Sequence, residues 1–173
     1  MVGNRSDPHG RHNWHSAEYV NDWIKKDVTR DEDRRPMLTR MIERIPRQRQ
    51  DKIQVLDVGA GYGELTRCVL EVFPEARVIC QDFSEPMHQH ARERLGEFID
   101  RVDYVKSDLS RSNWVAPFEQ SQSFDAVVSS IAIHNVRLSE RIRGIYQEVA
   151  KLLAPGGSFL NCDLVFDNVE THL

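Results

Sequence analysis

From Ile53 onward the chain alternates between two hydrophobic rhythms. Residues 53–58 (IQVLDV) form a short apolar run, rich in β-branched residues and closed by glycine. Such a run reads as a buried strand. Residues 63–73 (GELTRCVLEVF) then set Leu65, Val69, Leu70 and Phe73 on one side of a helix that Pro74 stops. The same exchange recurs. Residues 76–82 (ARVICQD) predict a second strand, and residues 84–95 a helix with Ser84 as N-cap and Gly96 at its end. Residues 102–108 (VDYVKSD) predict a third strand, and residues 124–133 (FDAVVSSIAI) contain a fourth. Ser139 is expected to cap a long helix with the stripe Ile142, Ile145, Val149, Leu152 and Leu153. Ala154-Pro155-Gly156-Gly157 reads as a turn, and residues 157–163 (GSFLNCD) as a fifth strand.

About five strand–helix alternations argue for an α/β fold: a doubly wound parallel sheet of about five strands, with helices on both faces. The first 50 residues carry only the helical rhythm. Residues 1–15 are read as a flexible polar leader. Ala17, Val20, Trp23 and Ile24 predict a helix over 16–26. Met37, Met41, Ile42 and Ile45 predict a second one, from Pro36 at its first position to Ile45. The expected organisation is therefore a leader (1–15), a pair of N-terminal helices (16–50) and one ligand-binding domain (51–173).

Composition narrows the class only a little. The chain has 173 residues, 40% hydrophobic and 29% charged, which is ordinary for one soluble domain with a sizeable core. No apolar run approaches the roughly 20 residues that span a bilayer. The first fifteen residues lack the apolar centre of a signal peptide, so the expected location is cytoplasmic, with no membrane partner. The net charge of −4 offers nucleic acid no general electrostatic hold. Arg34, Arg35, Arg40, Arg44, Arg47 and Arg49 make the N-terminal third locally basic and read as a solvated helix face. Cys68, Cys80 and Cys162 have no metal or redox spacing. His9, His12 and His15 recur every third residue, within the polar leader.

The candidate chemistry begins at VLDVGAGYGELT (55–66), where Gly59, Gly61 and Gly63 follow the first strand. Dinucleotide loops read G-x-G-x-x-G; here the third glycine comes one residue early. Asp57 lies two residues before the first glycine, where a ligand would sit. Two like charges about 4 Å apart cost roughly 1 kcal/mol in water and about 4 at a protein-like dielectric. A pyrophosphate would be repelled, and a cationic ligand attracted. Asp57 could instead cap the loop through backbone hydrogen bonds. Asp82 ends the second strand and Asp108 the third. The first suits ribose hydroxyls, the second an exocyclic amine.

Together these segments resemble the class I S-adenosylmethionine-dependent methyltransferases. VLDVGAGYGELT is similar to the family's first motif, VICQDFSEPM to its second and VKSDLS to its adenine-side motif. FDAVVSSIAIHNV and LLAPGGSFLNCD are similar to its fourth- and fifth-strand motifs. The resemblance implies S-adenosylmethionine as cofactor. Gly59, Ala60 and Gly61 would lie beside its methionine part, with Asp57 near the ammonium group. Asp82 would hold the ribose, Phe83 and Met87 would pack on adenine, and Asp108 with the Leu109 backbone would meet the adenine edge. Ser130 and Ile131 would lie near the sulfonium. The implied reaction is methyl transfer to an oxygen or nitrogen of a small-molecule acceptor. The Ser129-Ser130-Ile131-Ala132 run differs from the Asn/Asp-Pro-Pro-aromatic run of many enzymes that methylate nucleobase amines.

His134, just past the fourth strand, is the candidate base or acceptor-orienting group; a histidine bonded to its own loop is the other reading. Asp163, ending the fifth strand, is a second catalytic candidate, while Cys162 reads as a buried thiol. Trp14, Tyr19 and Trp23 suit either a lid over the cofactor or ordinary helix packing. The family's sheet normally closes with a C-terminal hairpin, for which this chain has no sequence left. Either the chain is a truncated form, or a partner, such as a second copy, covers the fifth-strand edge. A cofactor-binding module without turnover is the alternative function.

Overall fold

The strands β1 (Gln54–Val58), β2 (Arg77–Asp82), β3 (Val102–Lys106), β4 (Phe124–Ser130) and β5 (Leu153–Cys162) form one sheet in the order β3-β2-β1-β4-β5. Every pairing is parallel. The helices α1 (Ala17–Asp27), α2 (Asp31–Ile42), α3 (Glu64–Val72), α4 (Glu85–Arg94) and α5 (Ser139–Leu152) complete the fold. The computed structural model describes residues 12–118 and 123–164. Most of the expected leader and the stretch after Leu164 lie outside the described residues.

Parallel strands covered on both faces should be apolar throughout, and Val55, Leu56, Val58, Val78, Cys80, Ala126, Val127 and Val128 are all buried. They feed two cores. One face packs Val55, Val78 and Val128 against Leu38 and Ile42 of α2 and Val69 of α3. The other packs Leu56, Val58 and Val127 against Ile145 and Val149 of α5 and against Trp114. Burying a side chain of this kind is worth about 1.5–3 kcal/mol, so the sheet centre is the rigid platform for whatever its edges carry.

The chain winds outward from β1 in one direction to β2 and β3, and in the other to β4 and β5. The carboxyl ends of β1 and β4 therefore flank the point where the winding reverses. Open α/β sheets bind ligands in the crevice at that point.

Three local expectations are corrected. α2 starts at Asp31, and Pro36 lies inside it. Asp31, Glu32 and Asp33 fill the first turn, where the helix dipole favours acids; the proline costs the helix one hydrogen bond, to the Glu32 carbonyl. Ser139 is the first residue of α5, with extended Leu138 at the N-cap. Left-handed Arg137 (φ 61°) has already reversed the chain before Leu138. Residues 154–157 do not separate α5 from β5 as a turn. Leu153 pairs with Phe124 and Ser158 with Ala126, so the tetrapeptide bulges within β5. No helix among the described residues is long and apolar enough to cross a membrane.

Candidate active site

The glycine loop after β1 is stapled to the end of β2. The Gln81 side-chain oxygen accepts the Gly59 N–H at 3.0 Å, and the Gln81 carbonyl accepts the Ala60 N–H at 2.9 Å. Asp82 Oδ2 accepts the Gly61 N–H at 2.9 Å. Gly59 (φ 69°) and Gly61 (φ 55°) are left-handed, which side chains resist. Their surroundings differ. A Cβ on Gly59 would stand 2.4 Å from the Ala132 Cβ, whereas one on Gly61 would meet nothing within 4 Å. Gly59 thus lets the loop after β4 press down, and Gly61 leaves the crevice open.

Asp57 is fully buried beneath this loop. Its Oδ2 accepts the Thr66 hydroxyl at 2.6 Å, and its Oδ1 has no partner among the described residues. Burial pushes the carboxyl up to about 7, opposed by the Thr66 hydrogen bond and helped by the nearby Asp82 charge. Asp82 is raised too, chiefly by burial, while the Ser84 and Gly61 amides and His88 pull it back. Its Oδ1 accepts the Ser84 N–H at 2.9 Å. Asp82 Oδ2 takes the Gly61 amide and Oδ1 the Ser84 amide, and the second lone pair on each oxygen suits the carboxylate to accept from a diol. A buried carboxylate oxygen lacking a donor beside an open glycine position fits a cationic ligand rich in N–H and O–H groups.

The remaining residues chosen for the adenine side are less alike. Phe83 is half-buried, with the His15 ring edge-on at 5.3 Å. Met87 packs in a small cluster with Val20 and Tyr62, lined by Trp14, Tyr19 and Trp23. Asp108 accepts the Ser110 N–H at 2.9 Å, and the Leu109 carbonyl accepts Arg141 Nε at 2.7 Å. His12, Trp14 and His15, assigned to the leader, meet this part of the fold: the Ser84 hydroxyl donates to the Trp14 carbonyl at 2.6 Å.

On the other side of the crevice, two residues singled out separately prove to be partners. Asp163 Oδ2 accepts the His134 backbone N–H at 2.9 Å, and Asp163 Oδ1 lies 2.5 Å from His134 Nδ1. His134 stands in the short 3-10 turn Ile133–Val136 after β4, and Asp163 follows β5. Adjacent parallel strands, with Ser130 opposite Cys162, bring the two together. Ser130 is the last residue of β4, and the Ile131 N–H donates to the Cys162 carbonyl at 2.9 Å.

Residues 55–157 match the family described as methyltransferase domain. The chain belongs to the class I S-adenosylmethionine-dependent methyltransferases. It is 30% identical over 132 residues to the highly reducing polyketide synthase cm3B of Cordyceps militaris, covering 73% of this chain and 5% of that protein. It is 28% identical over 94 residues to a malonyl-[acyl-carrier protein] O-methyltransferase of Acetivibrio thermocellus, covering 54% of this chain and 30% of that one. The fold is similar to that of an O-methyltransferase family protein from Burkholderia thailandensis, with TM-score 0.67, 20% identity and coverage of 91% of this chain and 45% of that one. The chain thus spans less than a third of these two curated relatives. Class I methyltransferases use S-adenosylmethionine, whose cationic groups suit the Asp57 side of the crevice.

Sequence reasoning missed several supports of the methyltransferase crevice. Gln81 is one; its polar side chain in an otherwise apolar strand was the available signal, and it also donates to the Ser107 carbonyl at 2.7 Å. Tyr62, inside the glycine loop, is another. Its hydroxyl reaches Asp31 at 2.7 Å and Asp27 at 3.1 Å. Arg34 grips Asp27 with both terminal nitrogens, and Arg94 bridges Asp31 and Glu64. Burial, then the Asp31 hydrogen bond, push the Tyr62 hydroxyl up, so it stays protonated. This network ties α1 and α2 to the glycine loop, a link that spans too many residues for periodicity to reveal.

Proposed function

We propose that this methyltransferase transfers the methyl group to an oxygen or nitrogen of a small-molecule acceptor, with His134 as the base that takes the acceptor's proton. The observation that carries the base is the double hold of Asp163 on His134, at 2.9 Å to the backbone N–H and 2.5 Å to Nδ1. When bound, S-adenosylmethionine supplies an electrophilic methyl on a sulfonium. Asp57 holds the ammonium end, directly or through water, and Asp82 accepts from the ribose. Gly59, Ala60 and Gly61 give the methionine part a close backbone wall, while Phe83 and Asp108 hold the adenine. Ser130 and Ile131 line the approach to the sulfonium. Fixing two reactants in line can supply about 7–11 kcal/mol.

Asp163 holds the ring through Nδ1 and so fixes its orientation, as the acid of a triad orients its histidine. A carboxylate acceptor needs no base, whereas a hydroxyl or an ammonium does, so the pair supports a proton-bearing acceptor. The O-methyltransferase and polyketide synthase relatives support acyl compounds as the acceptor class. The same pair favours one second reading, transfer to an acidic carbon beside a carbonyl. The three cysteines are unpaired, which supports a reducing compartment such as the cytoplasm.

The test is turnover with a labelled methyl donor against phenols, amines and β-keto acyl thioesters. His134→Gln should cut turnover by about 10²–10⁴-fold, far more than it weakens S-adenosylhomocysteine binding. Undiminished turnover removes His134 as base. Calorimetry in which NAD binds and both sulfur nucleosides fail would overturn the whole reading, and cofactor binding without turnover would leave a binding module.

A further inference from the structure

Ile131 is left-handed, with φ 52°, directly after the last residue of β4. For a β-branched side chain this is a true outlier, because Cβ crowds the backbone. Strain of this kind is worth roughly five- to 150-fold in an equilibrium and persists only where neighbours over-determine it. Three hydrogen bonds supply that constraint. The Ile131 N–H donates to the Cys162 carbonyl at 2.9 Å. Three residues on, Asp163 holds the His134 N–H at 2.9 Å and His134 Nδ1 at 2.5 Å. Arg137, also left-handed at φ 61°, closes the loop.

The reversal at Ile131 has one clear product. It lays Ala132 on Gly59, so closely that a Cβ on Gly59 would stand 2.4 Å from the Ala132 Cβ. The loop that carries the base therefore rests on the loop that lies against the cofactor.

Building on the base assignment above, we infer that Ile131 is a strained positioning residue through which the His134–Asp163 pair and the glycine loop are energetically coupled. While the pair is made, Ile131 stays left-handed and Ala132 braces Gly59 in its ligand-ready conformation. When the pair is broken, Ile131 relaxes toward an extended conformation, Ala132 lifts, and the glycine loop loses its brace. Damage on the acceptor side then appears as lost affinity on the cofactor side, across residues that Asp163 does not touch.

A double-mutant cycle tests this, read by calorimetry with S-adenosylhomocysteine, which needs no acceptor and no turnover. Asp163→Ala should weaken binding by about tenfold, or 1.4 kcal/mol. Glycine adopts the left-handed conformation without strain, so in the Ile131→Gly background Asp163→Ala should cost less than about threefold. Thermal melts of all four proteins check that each is folded, and Asp163→Asn replaces the alanine variant if that one is not. Equal cost of the Asp163 substitution in both backgrounds, or no cost in either, overturns the coupling. Either outcome leaves the methyltransferase reading standing; that reading falls instead if the unsubstituted protein fails to bind the nucleoside.

Discussion

Asp57→Asn should make the cofactor-free protein more stable at high pH and less able to bind its cofactor. The buried Asp57 carboxyl is raised from 3.8 to about 7. At 1.36 kcal/mol per unit, about three units correspond to about 4 kcal/mol. The sign follows from where the proton sits. Between about pH 4 and pH 7 the folded chain keeps a proton that the unfolded chain has released, so wild-type stability falls as pH rises across that window. Above it the full penalty of a buried, half-satisfied carboxylate is present.

Asparagine has no such titration. It can keep the Thr66 hydroxyl as a donor to its oxygen, but its amide hydrogens face the place where Oδ1 has no partner among the described residues. An unsatisfied buried donor costs about 1–3 kcal/mol at any pH. The variant should therefore be about level with wild type at pH 5 and about 1–3 kcal/mol more stable at pH 8. For a chain of this size the swing between the two pH values is roughly 5–10 °C in melting temperature. Urea unfolding at pH 5 and pH 8, without ligand, reads it directly. Parallel stability curves for the two proteins would refute the buried-charge account. The same variant should bind S-adenosylhomocysteine about tenfold more weakly at pH 7.5, which separates a functional acid from a merely misplaced one.

Two further substitutions probe the loops around Asp57. Asp82→Ala removes the acceptor of the Gly61 and Ser84 amides together with the proposed ribose contact. Hydrogen bonds to charged groups are worth about 1.5–3 kcal/mol each, so nucleoside affinity measured by calorimetry should drop by about 100-fold; unchanged affinity removes the ribose assignment. Gly59→Ala drives a Cβ to within 2.4 Å of the Ala132 Cβ, and should lower the melting temperature and abolish nucleoside binding. Ala132→Gly in the same chain should return part of both, and no recovery would mean that the loops do not touch as described.

The centre of the parallel sheet was legible because β1, β2 and β4 are built on compact apolar runs. A strand buried on both faces leaves that signature regardless of what it packs on. Asp57, Asp82 and Asp108 could be chosen as candidates for a related reason: the first two break or end such a run, Asp108 lies two residues beyond β3, and the carboxyl end of a parallel strand is where a ligand approaches. The start of α2 was not legible, because the turn that begins it, Asp31-Glu32-Asp33, has no apolar stripe and Pro36 imitates a first position. Gln81 and Tyr62 were overlooked because they staple the glycine loop to segments distant in sequence, Gln81 from β2 and Tyr62 to the ends of α1 and α2, and such links leave no period in a sequence.

His134 and Asp163 mark the boundary between the two kinds of information. Each could be chosen singly, since each follows a strand on the ligand side of the sheet. Their pairing depends on β4 and β5 being neighbours in register, Ser130 opposite Cys162. That register places the residues just beyond both strand ends within hydrogen-bonding reach, although they are 29 positions apart in the chain. The left-handed turn at Ile131 then swings the His134 loop back across the sheet until Ala132 meets Gly59. Strand order thus brings His134 and Asp163 together, and left-handed Ile131 sets the loop that carries His134 against the glycine loop. An imidazole held this way has its orientation set before any ligand arrives. That is the geometry the proposed proton removal needs at a site where a methyl group is delivered.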